Sequence, residues 1–374
     1  MTAAADLLAP ARRVVVKIGS SLLIGPDRQP HAARFSAIAA DLNALAGRGV
    51  QIVLVSSGAV ALGRSRLGFG TGRLNLEQKQ AAAAAGQTAL MQAWDAALAP
   101  RPAAQALLTS GDLESRRRWL NARATLDTLL AAGAQPVINE NDTVATDELR
   151  YGDNDRLAAR VAQMCDADAL ILLSDVAGLF TSDPGRDPSA RLLDHVPAIS
   201  PEIEAMAGGA GAAGTGTGGM ASKIAAARIA GSAGIGTIIA AGAQARPVLR
   251  LFEGGEATAF SPETSRQSAR RAWIAGAFNP AGTLTLDAGA VEAVRKGRSL
   301  LPAGVSSVSG RFQRGEAVRL LGPDGEAVGK GVVGYASDEV ARIAGLQSGQ
   351  IEAALGWRRG AALVHASDLV LDPA

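Results

Sequence analysis

The sequence is short of cysteine, histidine, lysine, net charge and long apolar runs, and each shortage closes off a class of function. Its single cysteine, Cys165, cannot close an internal disulfide, which fits a reducing compartment. Within a helical stretch that thiol reads as a small buried hydrophobe. No uninterrupted apolar run approaches the roughly 18 residues that a membrane span needs. The opening MTAAADLLAPARRVVVKIGS has no basic stretch leading into an apolar one, so no secretory leader is expected. The expected location is the cytoplasm, with no membrane partner. Lys and Arg total 37 against 35 Asp and Glu, a net charge of +2, too even for a nucleic-acid sponge.

Three histidines, His31, His195 and His365, stand in no spacing that pairs one with a nucleophile or gathers them round a metal. Covalent serine chemistry needs such a base and a zinc site needs such ligands, so neither is expected and no metal ligand is assigned. Lysine is scarce where cations are not: Lys17, Lys79, Lys223, Lys296 and Lys330 leave 32 of the 37 basic residues as arginine. In such a chain each lysine merits inspection.

At 374 residues the chain is long enough for two domains and a sizeable core. RVVVKIG (13–19), QIVLVSSG (51–58), AAQALLTS (103–110), AQPVIN (134–139), ALILLSD (169–175) and GTIIAAG (236–242) read as buried strands. Residues 32–47, 76–99, 118–132 and 154–165 read as helices between them. This alternation predicts an α/β fold, a mostly parallel sheet sandwiched by helices, with ligands at the carboxyl ends of the strands. The character changes after residue 262. SPETSRQSARRAW (261–273) is polar and basic and supplies a linker, placed at 263–273. From 274 to 374, short strand-like pieces broken by Gly and Pro predict a small β-rich barrel.

GTGTGGMASK (214–223) has the form G-x-G-x-x-G, yet no strand leads into it and the next strand carries no acidic residue for a ribose. It is not the phosphate loop of P-loop enzymes either, because Met220 stands where lysine is required. What remains is a glycine loop entering a helix, whose exposed amides and dipole make an anion site. Helical side chains lean toward the N-terminus, so Lys223 can reach back to the same anion.

INENDTVATDELRYGDNDRLAARVA (138–162) is a second constellation. Asn139, Glu140, Asn141 and Asp142 follow a predicted strand, and Asp153, Asn154 and Asp155 open a predicted helix. Seven polar groups at one sheet edge exceed what a helix cap needs. VVVKIGSS places Lys17 at the end of the first strand, and VSSGAVALG places Ser56, Ser57 and Gly58 at the end of the second. A lysine there could equally snorkel to solvent. Two lysines, several carboxylates, glycine loops and no histidine base suit phosphoryl transfer, which needs positioning and charge neutralisation more than proton removal. A carboxylate acceptor, anionic at neutral pH, would need no general base.

On these motifs the chain resembles the amino acid kinase family, and within it the kinases acting on the γ-carboxylate of L-glutamate. VVKIGSSLL, VSSGAVALG, WLNARATL (119–126), PVINENDTVA, GDND, LLSDVAGLFTSDP and GTGGMASK carry the likeness in order, over residues 12–262. The tail, above all GTLTLDAGAVEAVRKGRSLLPAGVSSVSG, resembles a PUA domain, assigned to 274–374.

The resemblance implies ATP with Mg²⁺ as phosphoryl donor and L-glutamyl 5-phosphate as product, the first step of proline synthesis. It also implies proline as feedback inhibitor, and a homo-oligomer. By the same resemblance Lys17 and Lys223 stabilise the transferring phosphoryl group and Asp155 orients them. Ser57, Asp142 and Asn154 hold glutamate, with Asp142 near its ammonium. Lys17, Ser174, Asp175, Thr217, Gly218, Gly219, Met220, Ala221, Ser222 and Lys223 contact ATP. Ser174 and Ala221 depart from the Thr and Ser common there, which touches only a hydroxyl contact. The rival readings are a sister kinase for N-acetylglutamate or aspartate, or an RNA-binding role through the PUA domain. There Arg295, Lys296, Arg298, Arg311, Arg314 and Arg319 alternate with Glu292, Glu316 and Asp324, the pattern of a solvated face.

Overall fold

The apolar runs fold as strands and the stretches between them as helices. A computed structural model describes residues 2–145, 154–207, 219–265, 268–269, 274, 280–358 and 360–372. The chain divides into two compact units, residues 1–115 with 121–264, and residues 116–120 with 265–374.

In the first unit eight strands form one sheet. They are β1 (Arg13–Ile18), β2 (Gln51–Ser56), β3 (Ala103–Leu108), β4 (Gln135–Glu140), β5 (Ala169–Ser174), β6 (His195–Val196), β7 (Gly236–Ala241) and β8 (Thr258–Phe260). Their order is β3-β4-β2-β1-β5-β7-β8-β6. The six strands expected from the sequence are β1 to β5 and β7, and they run parallel. The unexpected β8 pairs antiparallel with β7 and parallel with β6. Buried nearly throughout, β1, β2, β4, β5 and β7 read as continuous apolar runs because helices cover both faces of the sheet.

The principal helices are α1 (Ala32–Gly47), α2 (Ala59–Arg66), α3 (Leu76–Leu98), α4 (Arg116–Ala131), α5 (Asn154–Met164) and α6 (Met220–Ser232). α3 begins on a capping box: Asn75 Oδ1 accepts the Gln78 N–H at 2.8 Å, and Gln78 Oε1 accepts the Asn75 N–H at 3.1 Å. α2 and α3 approach so closely that glycine is required at the contact. A Cβ on Gly63 would stand 1.6 Å from the Ala82 carbonyl oxygen, and one on Gly86 would stand 1.8 Å from that of Ala59. Inside, the Trp94 ring lies against Phe35 with centroids 4.6 Å apart. Cys165 is fully buried at the end of α5, as expected, and burial pushes its thiol up to about 12.

Topology fixes where ligands go. The chain leaves β1 toward β2 on one side, whereas from β5 it crosses to β6 and β7 on the other. Connections that diverge from adjacent strands open a crevice at their carboxyl ends. Lys17 and Ser174 stand at the ends of those two strands.

The second unit has its own sheet of β9 (Gly282–Leu286), β10 (Val305–Gly310), β11 (Ala317–Leu321), β12 (Ala327–Val333) and β13 (Val364–Leu371), in the order β10-β9-β11-β12-β13. Leu284, Phe312, Val318, Leu320 and Tyr335 are buried in its separate core. Among the described residues no helix is long and apolar enough to cross a membrane.

Candidate active site

Three elements distant in sequence meet at the crevice. β1 carries Lys17, the first turn of α5 carries Asp155, and the first turn of α6 carries Lys223. Lys17 Nζ forms an ion pair with Asp155 Oδ1, and Lys223 Nζ donates to Asp155 Oδ2 at 3.2 Å. Asp155 is 0% exposed and each lysine side chain only 6%. Lys17 therefore points inward rather than snorkelling. Burying charge is costly unless it is paired, and Asp155 pairs with both ammonium groups. Two ammonium groups brought together at the strand ends suit an anionic ligand.

α6 faces that crevice with an uncapped end. Gly219 is its N-cap, extended and with no side-chain cap bond. A Cβ added at Gly219 would meet nothing within 4 Å. Among the described residues Ser222 Oγ is buried without a hydrogen-bond partner. Free amides at a helix start, the dipole behind them and an orphaned hydroxyl fit the phosphates of a nucleotide. Met220 and Ala221 belong to the same first turn, while Thr217 and Gly218 lie outside the described residues. At the end of β5, Ser174 Oγ donates to Asp175 Oδ1 at 2.9 Å, and the Ser174 carbonyl accepts the Gly242 N–H at 2.8 Å.

Next to Asp155 in the chain, the same helix start joins a cluster of polar side chains. Asn154 Nδ2 donates to Ser57 Oγ at 2.7 Å and to Asn139 Oδ1 at 2.9 Å. The Ser57 N–H is fixed to the Ile18 carbonyl at 3.1 Å, tying the ends of β1 and β2 together. Asp142 sits half-buried in the turn after β4, where the Asn141 carbonyl accepts the Val144 and Ala145 N–H groups. Asp153 lies outside the described residues. One backbone step, Asn154 to Asp155, thus joins the polar pocket to the lysine pair.

α3 braces this pocket from behind, which the sequence did not disclose. Trp94 Nε1 donates to the buried Ser56 Oγ at 2.9 Å, and Gln80 Nε2 donates to the Ala145 carbonyl at 3.1 Å. Both residues stand at ordinary core spacing on a helix, so only the fold reveals their targets. Among the described residues no group of three or more His, Cys, Asp or Glu side chains could hold a metal ion.

Residues 12–241 match the profile described as "Amino acid kinase family", and residues 282–355 match that of the "PUA domain". The chain is 52% identical to a "Glutamate 5-kinase" of Paramagnetospirillum magneticum, covering 98% of this chain and 99% of that protein. It is 53% identical to a "Glutamate 5-kinase" of Caulobacter vibrioides over 96% of this chain and 97% of that one. A "Glutamate 5-kinase 1" of Rhizobium meliloti is 51% identical over 99% and 95% of the respective chains.

Proposed function

Since the chain belongs to the amino acid kinase family, in its glutamate 5-kinase branch, we propose that it transfers the γ-phosphoryl group of ATP to the γ-carboxylate of L-glutamate. The observation that carries the proposal is the pair of buried lysines, Lys17 and Lys223, held on the single carboxylate of Asp155.

An oxygen of the ionised γ-carboxylate attacks the γ-phosphorus; the bond from phosphorus to the bridging oxygen breaks, ADP leaves with the electron pair, and an acyl phosphate forms. No proton moves in this step, which agrees with a pocket built without histidine. The difficulty is repulsion between two anions. Lys17 and Lys223 offset it with charge already in place, so little reorganisation accompanies the transfer. Asp155 fixes both ammonium groups, and the α6 N-terminus with Ser222 holds phosphate oxygens. Ser174, Asp175, Gly219, Met220 and Ala221 complete the nucleotide side. Mg²⁺ would arrive on the phosphates of ATP, which is how this ion is usually carried, and would neutralise their charge.

Ser57, Asn154 and Asp142 form the acceptor side, with Asp142 beside the substrate ammonium. The motif resemblance also supports the first step of proline synthesis, proline as feedback inhibitor, a cytoplasmic location and a homo-oligomer. The polar, basic composition of SPETSRQSARRAW supports a linker at 263–273, partly outside the described residues. Trapping acyl phosphate as hydroxamate, with ATP, Mg²⁺ and a panel of acids, tests the proposal. Signal with L-glutamate is expected; signal with N-acetylglutamate or aspartate and none with glutamate overturns it.

A further inference from the structure

An asparagine amide has nearly the same shape either way round, so its partners decide which end is oxygen. In the acceptor pocket that decision starts from a group with no ambiguity. The Glu140 backbone N–H can only donate, so the side-chain atom of Asn139 that it meets at 2.9 Å is the oxygen. Asn154 meets the same oxygen at 2.9 Å and must present nitrogen to it. The second hydrogen of that nitrogen goes to Ser57 Oγ at 2.7 Å. Both donors of Asn154 are then used, and Ser57 Oγ is held as an acceptor with its own proton free to point into the pocket. Asn139 and Glu140 are 5% and 6% exposed, so water does not compete for the first link.

We propose that Asn139 is a positioning residue that relays the polarity of the Glu140 amide through Asn154 to Ser57, and so selects acceptors with a free α-ammonium. The inference rests on the kinase reading above and assigns the chemistry of its acceptor side. Asn154 Oδ1 is left as an acceptor for an ammonium, and the Ser57 hydroxyl as a donor for the neighbouring carboxylate. A zwitterionic α-amino acid matches that pair. A diacid without the amine, or an N-acylated amine, leaves Asn154 Oδ1 wholly or partly unmatched.

The test is the preference for L-glutamate over glutarate, which has both carboxylates and no ammonium, as a ratio of kcat/KM. Asn139→Ala frees the Asn154 amide to rotate and should lower the ratio about tenfold or more, through the KM for glutamate, with the KM for ATP unchanged. Asn139→Asp keeps an oxygen facing both donors and should stay within about threefold of wild type. A wild-type ratio in Asn139→Ala, an equal loss in Asn139→Asp, or a parallel rise in the KM for ATP overturns the relay. Should Asn139→Ala not fold, Asn154→Asp replaces it: that change removes both donors, and an unaltered ratio again overturns the relay. A wild-type enzyme using another free amino acid refutes the glutamate assignment alone, and the ratio is then measured with that acid and its deaminated analogue. A wild-type acceptor lacking an ammonium refutes both.

Discussion

At the residue scale, burial decides what each ionisable group can do. Lys17, Lys223 and Asp155 are buried together and remain useful because they share charge. Cys165 is buried without such company, and its thiol is pushed up from an ordinary 9.0 to about 12 by desolvation, with the neighbouring charges of Arg13, Asp166, Arg123 and Asp127 as smaller influences. Between those values the folded chain keeps a proton that the unfolded chain has lost. Stability should therefore fall as pH rises above about 9.0, and a thiol reagent at pH 8 should label Cys165 only on unfolding. Rapid labelling of the native protein would contradict this. Scarcity made the two lysines legible in the sequence, whereas the direction of Lys17 was not, since its partner lies in a different segment. Asn139 was visible as one of seven polar groups, but its task depends on a hydrogen bond to Asn154 that sequence cannot display.

Secondary-structure elements were read best where burial is complete. β1, β2, β5 and β7 announce themselves because both faces are apolar. β6 and β8 have two and three residues, too few to form a pattern, and their pairing comes from the sheet edge rather than from periodicity. α2 was hidden for another reason: its glycine, arginine and serine content suits a loop, and only α3 makes it a helix worth forming. That contact sets a sharp expectation. Gly63→Ala must push α2 and α3 apart, since its Cβ would overlap the Ala82 carbonyl, at a cost of about 1–3 kcal/mol or more. A urea midpoint equal to wild type would show that the helices can part freely. The same change should disturb Ser57, because α2 follows it directly.

On the scale of the whole molecule, the proposed chemistry lies in the first unit and the second unit keeps a separate sheet and core. The sequence changes character after residue 262, but nothing in it marks what the second unit does. Its cations are at least partly matched nearby; Lys296, for instance, pairs with Glu292 one helical turn earlier. With a net charge of only +2 over the chain, micromolar protein should produce no salt-dependent shift of RNA in a gel. A shift that weakens steeply with salt would restore the RNA-binding reading.

The central claim joins points far apart in the chain: two ammonium groups, gathered on one carboxylate, lower the barrier to phosphoryl transfer between anions. The most direct measurement is steady-state acyl phosphate formation by Lys223→Ala. The account predicts a kcat lower by at least about 10², an unchanged urea midpoint and little change in the KM for glutamate. Turnover close to wild type would contradict it.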